Sequence, residues 1–218
     1  MNTATMGQTE QQETILSAVV VSSSTHWAGQ PISSEERKRA FGALQSFSAQ
    51  STSSLPICLQ WLQESKLTVA NGTIDCTIPA QLYACEILSS CLNDKKKKYA
   101  QWQEGDRLKL RQAVMAASRR QAHLPLIVQG SGTYMSLTTS TALPLANKLA
   151  SLLAALVVRD FPQRWTTCIQ DLFQQLWSET TPVVGNRMCL QILQLVAEDC
   201  TDSDFNAKVR SLCIVEKI

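Results

Sequence analysis

Residues 147–165, Asn-Lys-Leu-Ala-Ser-Leu-Leu-Ala-Ala-Leu-Val-Val-Arg-Asp-Phe-Pro-Gln-Arg-Trp, carry one helical period into a proline, and a second period starts directly behind it. Leu145, Leu149, Leu152, Leu153 and Leu156 recur at the spacing of a single helix face. Pro162 offers no amide hydrogen and clashes with a preceding carbonyl, so that helix is predicted to end near Arg159 or Asp160. Trp165, Ile169, Leu172, Phe173 and Leu176 then repeat the spacing. Two apolar-faced helices joined so tightly are expected to fold back on one another, because neither can leave its stripe in water. Such a hairpin is the unit of an α-solenoid.

Working outward, the rest of the chain repeats this pattern. A helix is expected near 10–22, with Gln12, Ile15, Leu16 and Val19 together, behind a polar, disordered start over 1–9. Ser33 and Glu36 form a capping box that opens a helix through Ala40, Leu44 and Phe47. Further helices are read at 55–62, 79–93, 105–119, 143–159, 164–177 and 185–199, and a ninth begins near Phe205. The stretches 66–78 and 121–142 read as loops. Pairing these helices as 10–49, 55–93, 105–159 and 164–199 gives a period of roughly 40 residues, the length of HEAT repeats. The expected fold is all-α, an α-solenoid of about four HEAT-type antiparallel pairs plus a ninth helix over 10–218. That last helix has no partner before Ile218, which points to the N-terminal piece of a longer solenoid.

Composition agrees with a packed helical protein. Of the 218 residues 44% are hydrophobic, and the eight glycines and seven prolines, few for this length, cluster between the periodic segments. A net charge of +2 supplies no overall attraction to nucleic acid or to a membrane surface. No apolar run reaches the roughly 20 residues that span a bilayer. The eight cysteines are scattered, with no C-x-x-C pair, and most lie on helix stripes. They read as reduced core thiols, which suits a cytosolic or nuclear compartment.

Little in the chain suggests catalysis. His26 and His123 are the only histidines, and neither stands at ligand spacing from a cysteine or carboxylate. No phosphate loop, nucleophile elbow or zinc-protease motif occurs. An enzyme, a metal site and a cofactor are therefore not expected. Lys95, Lys96, Lys97 and Lys98 are the one concentrated charge. They suit a solvated interhelical turn, a nuclear localisation signal, or a contact for RNA or an acidic partner, with Arg107, Lys109, Arg111, Arg119 and Arg120 extending a basic ridge. Trp61, Trp165 and Trp177 are expected in the core, and Trp27 and Trp102 in connecting segments.

Asn147-Lys148-Leu149-Ala150 followed by Arg159-Asp160-Phe161-Pro162 and Trp165 resembles the N-terminal region of the exportins, members of the importin-beta superfamily. The similarity continues through Asp171-Leu172-Phe173, Leu190-Gln-Ile-Leu193 and Ala197-Glu198-Asp199. It is weaker upstream, over Arg37–Phe47, Tyr83–Leu92 and Leu108–Met115. Among exportins it looks closest to the carriers of tRNA and pre-microRNA. Two departures stand out: residues 121–142 are longer than the family usually has there, and the family continues past the point where this chain ends.

The resemblance implies a carrier that binds the GTPase Ran in its GTP form together with export cargo (tRNA, pre-microRNA or protein). Full-length carriers of this kind also meet nucleoporins and shuttle between nucleus and cytoplasm. The inner helices would be 34–49, 80–93 and 143–158, whose polar faces offer Lys38, Gln45, Glu86, Ser89 and Lys148 as a Ran-facing set. Arg159, Asp160, Pro162 and Trp165 are expected to shape the turn without touching a ligand. Two rival readings are a HEAT scaffold that binds no GTPase and a nucleic-acid-binding helical domain working through Lys95–Lys98.

Overall fold

The helix that decides the fold runs from Leu137 to Asp160 in the computed structural model, which describes residues 3–27, 30–69, 74–93, 99–124, 137–180 and 183–201. Its leucines at 145, 149, 152, 153 and 156 are all buried. It begins six residues before the expected 143, because Leu137 to Ala142 holds no glycine or proline to stop a helix that is already propagating. It ends at Asp160, where the proline predicts.

Eight α-helices are present among the described residues. They are α1 Thr3–Ser23, α2 Ser34–Ala49, α3 Ser51–Gln63, α4 Thr77–Asn93, α5 Glu104–Ala122, α6 Leu137–Asp160, α7 Cys168–Leu176 and α8 Val184–Thr201. The chain divides into two compact units, Met1–Val114 and Met115–Ile218. The fold is all-α, consistent with a helical solenoid. α1 packs on α2, α3 on α4 and α7 on α8 as the pairing expects, whereas the expected pairing of α5 with α6 is corrected, since α6 packs chiefly on α8. The ninth helix expected near Phe205 lies outside the described residues.

In the first unit α1 packs on α2 and α3 on α4, and the pairs meet where α1 touches α4 and α2 touches α3. The capping box forms as read: the Glu36 amide donates to Ser33 Oγ at 3.2 Å, and the Ser33 amide donates to Glu36 Oε2 at 2.8 Å. Arg37 Nη2 donates to the Ser24 carbonyl at 2.9 Å and ties α2 to the end of α1. Gln81, buried on α4, donates to the carbonyls of Trp61 and Glu64 at 3.0 and 2.9 Å, which satisfies orphan acceptors at the end of α3. α1 begins at Thr3 rather than near residue 10, correcting the disordered start over 3–9. Those residues include Ala, Met and Gln, which favour helix, and no proline. The loop read over 66–78 contains a short antiparallel ladder, β3 Thr68–Val69 with β4 Ile74–Asp75. A similar ladder joins β1 His26–Trp27 to β2 Gln30–Pro31.

In the second unit α6 buries its stripe chiefly against α8, and α8 also packs on α7. The direct hairpin expected between α6 and α7 is thus corrected: the contact across the Pro162 corner passes through α8. Residues 161–167 form turns, so α7 opens at Cys168 and not near 164. Cys168, Leu172 and Leu176 face inward, whereas Ile169 and Phe173, assigned above to the same stripe, are exposed. Trp177, expected in the core, leaves 37% of its surface in water and stacks at a tilt on Phe173, with ring centres 5.6 Å apart. Two and a half turns of helix with apolar residues on both sides cannot be oriented from periodicity alone.

Candidate interaction surface

α2 turns Ala40, Leu44 and Phe47 into the core, which places positions 38, 41 and 45 on its other side. Lys38 and Gln45 are exposed, and Phe41 between them leaves 57% of its surface in water. On α4, Glu86 is exposed and Ser89 half-buried. Tyr83 joins the two helices. Its hydroxyl donates to the Leu44 carbonyl at 2.6 Å, and its ring stacks on Phe47 with centres 6.4 Å apart. Phe47 stacks in turn on the fully buried Trp61 at 6.0 Å.

Burial pushes the Tyr83 phenol up to about 12. Negative charge at Cys58 and Glu86 acts in the same direction, and a hydrogen bond with Ser48 opposes it. The Ser48 hydroxyl also donates to the Gln45 carbonyl at 2.9 Å. Gln45 and Glu86 therefore flank one seam sealed by Tyr83, with Lys38 two turns back along α2 and Ser89 one turn on along α4. Lys148 is exposed on α6 in the second unit. Neither Phe41 nor Tyr83 was among the residues chosen from the sequence. The signal for Phe41 was present: it falls off the Ala40–Leu44–Phe47 stripe and shares a face with Lys38 and Gln45.

The basic ridge is corrected at Arg107 and Arg111, whereas Lys109 and Arg119 are exposed. Arg107 and Arg111 are buried, held by Glu104 at 3.8 and 2.8 Å, and the Arg107 guanidinium lies 5.3 Å from the centre of the Tyr99 ring. An arginine stem covers apolar surface well, and its planar head suits an aromatic face. Lys109 pairs with Asp106 at 3.5 Å. Lys95, Lys96, Lys97 and Lys98 lie outside the described residues.

The corner after α6 is held by backbone and side-chain hydrogen bonds. The carbonyl of the buried Asp160 accepts from the amides of Arg164 and Trp165 at 2.7 and 3.0 Å. The Phe161–Pro162 peptide bond is cis. Arg159 Nη1 donates to the Ala155 carbonyl at 2.9 Å. The indole of the buried Trp165 donates to Asp171 Oδ2 at 2.7 Å, and Thr167 Oγ1 donates to the same oxygen at 2.9 Å.

The thiols are placed for packing. Cys58, Cys76, Cys85, Cys168 and Cys189 are buried and Cys91 half-buried, and none of these six is in a disulfide. Burial raises the Cys58 thiol far above the ordinary range and Cys189 to about 11, away from the reactive thiolate. Among the described residues no group of His, Cys, Asp or Glu could hold a metal ion. What the α2–α4 face offers is a cation at Lys38, an amide at Gln45, a carboxylate at Glu86 and the exposed ring of Phe41 on a fixed helical frame, the chemistry of recognition.

Residues 143–211 match the family model described as exportin 1-like protein. The match begins one turn before the Asn147-Lys148 motif and takes in the Pro162 corner, α7 and α8. It supports an importin-beta/exportin-like family, whose members are transport receptors and not enzymes, and it supports no narrower class of tRNA or pre-microRNA carrier. No curated protein and no solved structure matches the chain.

Proposed function

We propose that this chain is the Ran-binding segment of a nuclear export receptor and that it takes up GTP-bound Ran together with RNA or protein cargo. The exportin-like match over α6, the Pro162 corner, α7 and α8 carries this reading. Lys38, Gln45, Glu86, Ser89 and Lys148 contact the GTPase, with Phe41 at the centre of the α2 portion. Arg159, Asp160, Pro162 and Trp165 hold the corner and touch no partner. Tight binding to one nucleotide state follows from linkage: GTP orders the switch segments of a small GTPase, and a surface complementary to the ordered form favours it. The receptor contributes surface, and the GTPase contributes the chemistry that ends the complex. Cargo of the tRNA or pre-microRNA class is favoured by the sequence resemblance, and the receptor shuttles between nucleus and cytoplasm, meeting nucleoporins on the way.

Charge reversal tests the contact set. Lys38→Glu and Lys148→Glu together weaken binding to GTP-loaded Ran by about tenfold or more, with the helical spectrum unchanged. Unchanged affinity removes both residues from the interface.

A further inference from the structure

Between α6 and α8 in the second unit runs an open groove of about 560 Å³. Its walls carry Asn147 from α6 and Arg187, Leu190, Gln191, Gln194 and Leu195 from α8. Arg187 is exposed, and among the described residues that line the groove there is no carboxylate. The nearest acid along α8 is Glu198, engaged by Gln194 Nε2 at 2.9 Å. Leu190 leaves 59% of its surface in water, more than any other large apolar side chain among the described residues. Asn186 is committed to structure: its Oδ1 accepts from the Ser178 amide at 2.8 Å, and its Nδ2 donates to the Ser178 carbonyl at 2.7 Å. That pair fixes one end of the groove to the α7–α8 connection.

A pocket for a small apolar ligand is enclosed and lined mostly by hydrocarbon. This groove is open, and three of the side chains named, Asn147, Gln191 and Gln194, are amides. An amide side chain presents a donor and an acceptor side by side, the complement of a peptide main chain. Arg187 supplies a planar fork that matches a carboxylate in two parallel hydrogen bonds, which a lysine cannot reproduce. Leu190 and Leu195 give an apolar side chain somewhere to leave water.

We infer that the α6–α8 groove docks an extended acidic–apolar segment of a partner protein, with a carboxylate on Arg187, an apolar side chain on Leu190 and main-chain groups on Asn147 and Gln191. Arg187, the one charged side chain among the described lining residues, is what selects an acidic partner over a basic one. The inference goes beyond the carrier reading and needs no GTPase.

Fluorescence anisotropy on the 218-residue chain, with no Ran present, tests it. The probe is a labelled hexapeptide of alternating Asp and Leu; the comparators are the Lys–Leu hexapeptide and a labelled uridine oligonucleotide. The Asp–Leu peptide is expected to bind saturably and at least about tenfold tighter than either comparator. Arg187→Glu and Leu190→Asp each weaken it about tenfold or more, and Arg187→Lys weakens it less. Both positions are exposed, so the variants keep the helical spectrum of the parent. Equal binding by Arg187→Glu, or binding of the Lys–Leu peptide or the oligonucleotide as tight as that of the Asp–Leu peptide, overturns the inference.

Discussion

The phenol of Tyr83 donates to the carbonyl oxygen of Leu44 at 2.6 Å, so one hydroxyl ties the middle of α4 to the core-facing side of α2. That carbonyl belongs to a helix residue beside Gln45, and the contact fixes how the two faces of the candidate surface meet. Tyr83→Phe keeps the ring stack on Phe47 and removes only the hydroxyl's hydrogen bonds, to the Leu44 carbonyl and with Ser48. The expected loss is about 1 kcal/mol in urea unfolding. A loss indistinguishable from zero would mean that the hydroxyl does not hold the helices together.

Alkaline pH should destabilise the protein in a defined window. Burial lifts Tyr83 from 10.0 to about 12 and Cys189 from 9.0 to about 11. In the unfolded chain both groups ionise first, so between the unfolded and folded values the native state binds more protons. Stability is therefore level below the unfolded values and falls as pH rises through the window. Urea midpoints measured from pH 8 to 11 should decline, and Tyr83→Phe should remove part of the decline above pH 10. A midpoint that rises with pH contradicts the assignment.

Gly185 opens α8 at a place where a side chain has no room. A methyl group there would land on the Leu176 carbonyl oxygen and 2.8 Å from Ala122 Cβ. The first obstacle is backbone, so relief requires α7 and α8 to separate. Gly185→Ala is expected to cost about 1–3 kcal/mol by urea unfolding, although alanine is the better helix former. A stabilised variant would contradict the packing of the α7–α8 pair.

Asp171 is the acceptor on which the corner after α6 depends. Asp171→Ala strands the Trp165 indole N–H in a buried site and should cost about 1–3 kcal/mol. Asp171→Asn keeps a carbonyl oxygen and should cost less. Equal losses in calorimetric melts would show that the side chain contributes charge or volume rather than this hydrogen bond.

The sequence carried the helices well because their stripes are long. Five leucines over three turns of α6 leave one face to bury, and the Ser33–Glu36 box marks a start that no neighbour needs to supply. Orientation was lost where an element is short. In α7, Ile169 and Phe173 stand as plausibly on the stripe as Leu172, and only the position of α8 decides between them. Partner choice was lost where a polar head turns inward. Arg107 and Arg111 read as a basic ridge until Tyr99 and Glu104 are brought beside them. The Tyr83–Leu44 bond spans 39 residues, and no local spacing announces it. Of the candidate surface, the exposed positions on α2 and α4 follow from helical period alone, whereas the seam that joins them does not.

The central claim is nucleotide-selective binding to Ran, and the direct measurement is the affinity of this chain for Ran loaded with GTP and with GDP. The account predicts that the GTP form binds tighter by a factor of about 5–150, the range of coupling usual between linked sites. Equal affinity for the two forms, or retention of neither, contradicts it.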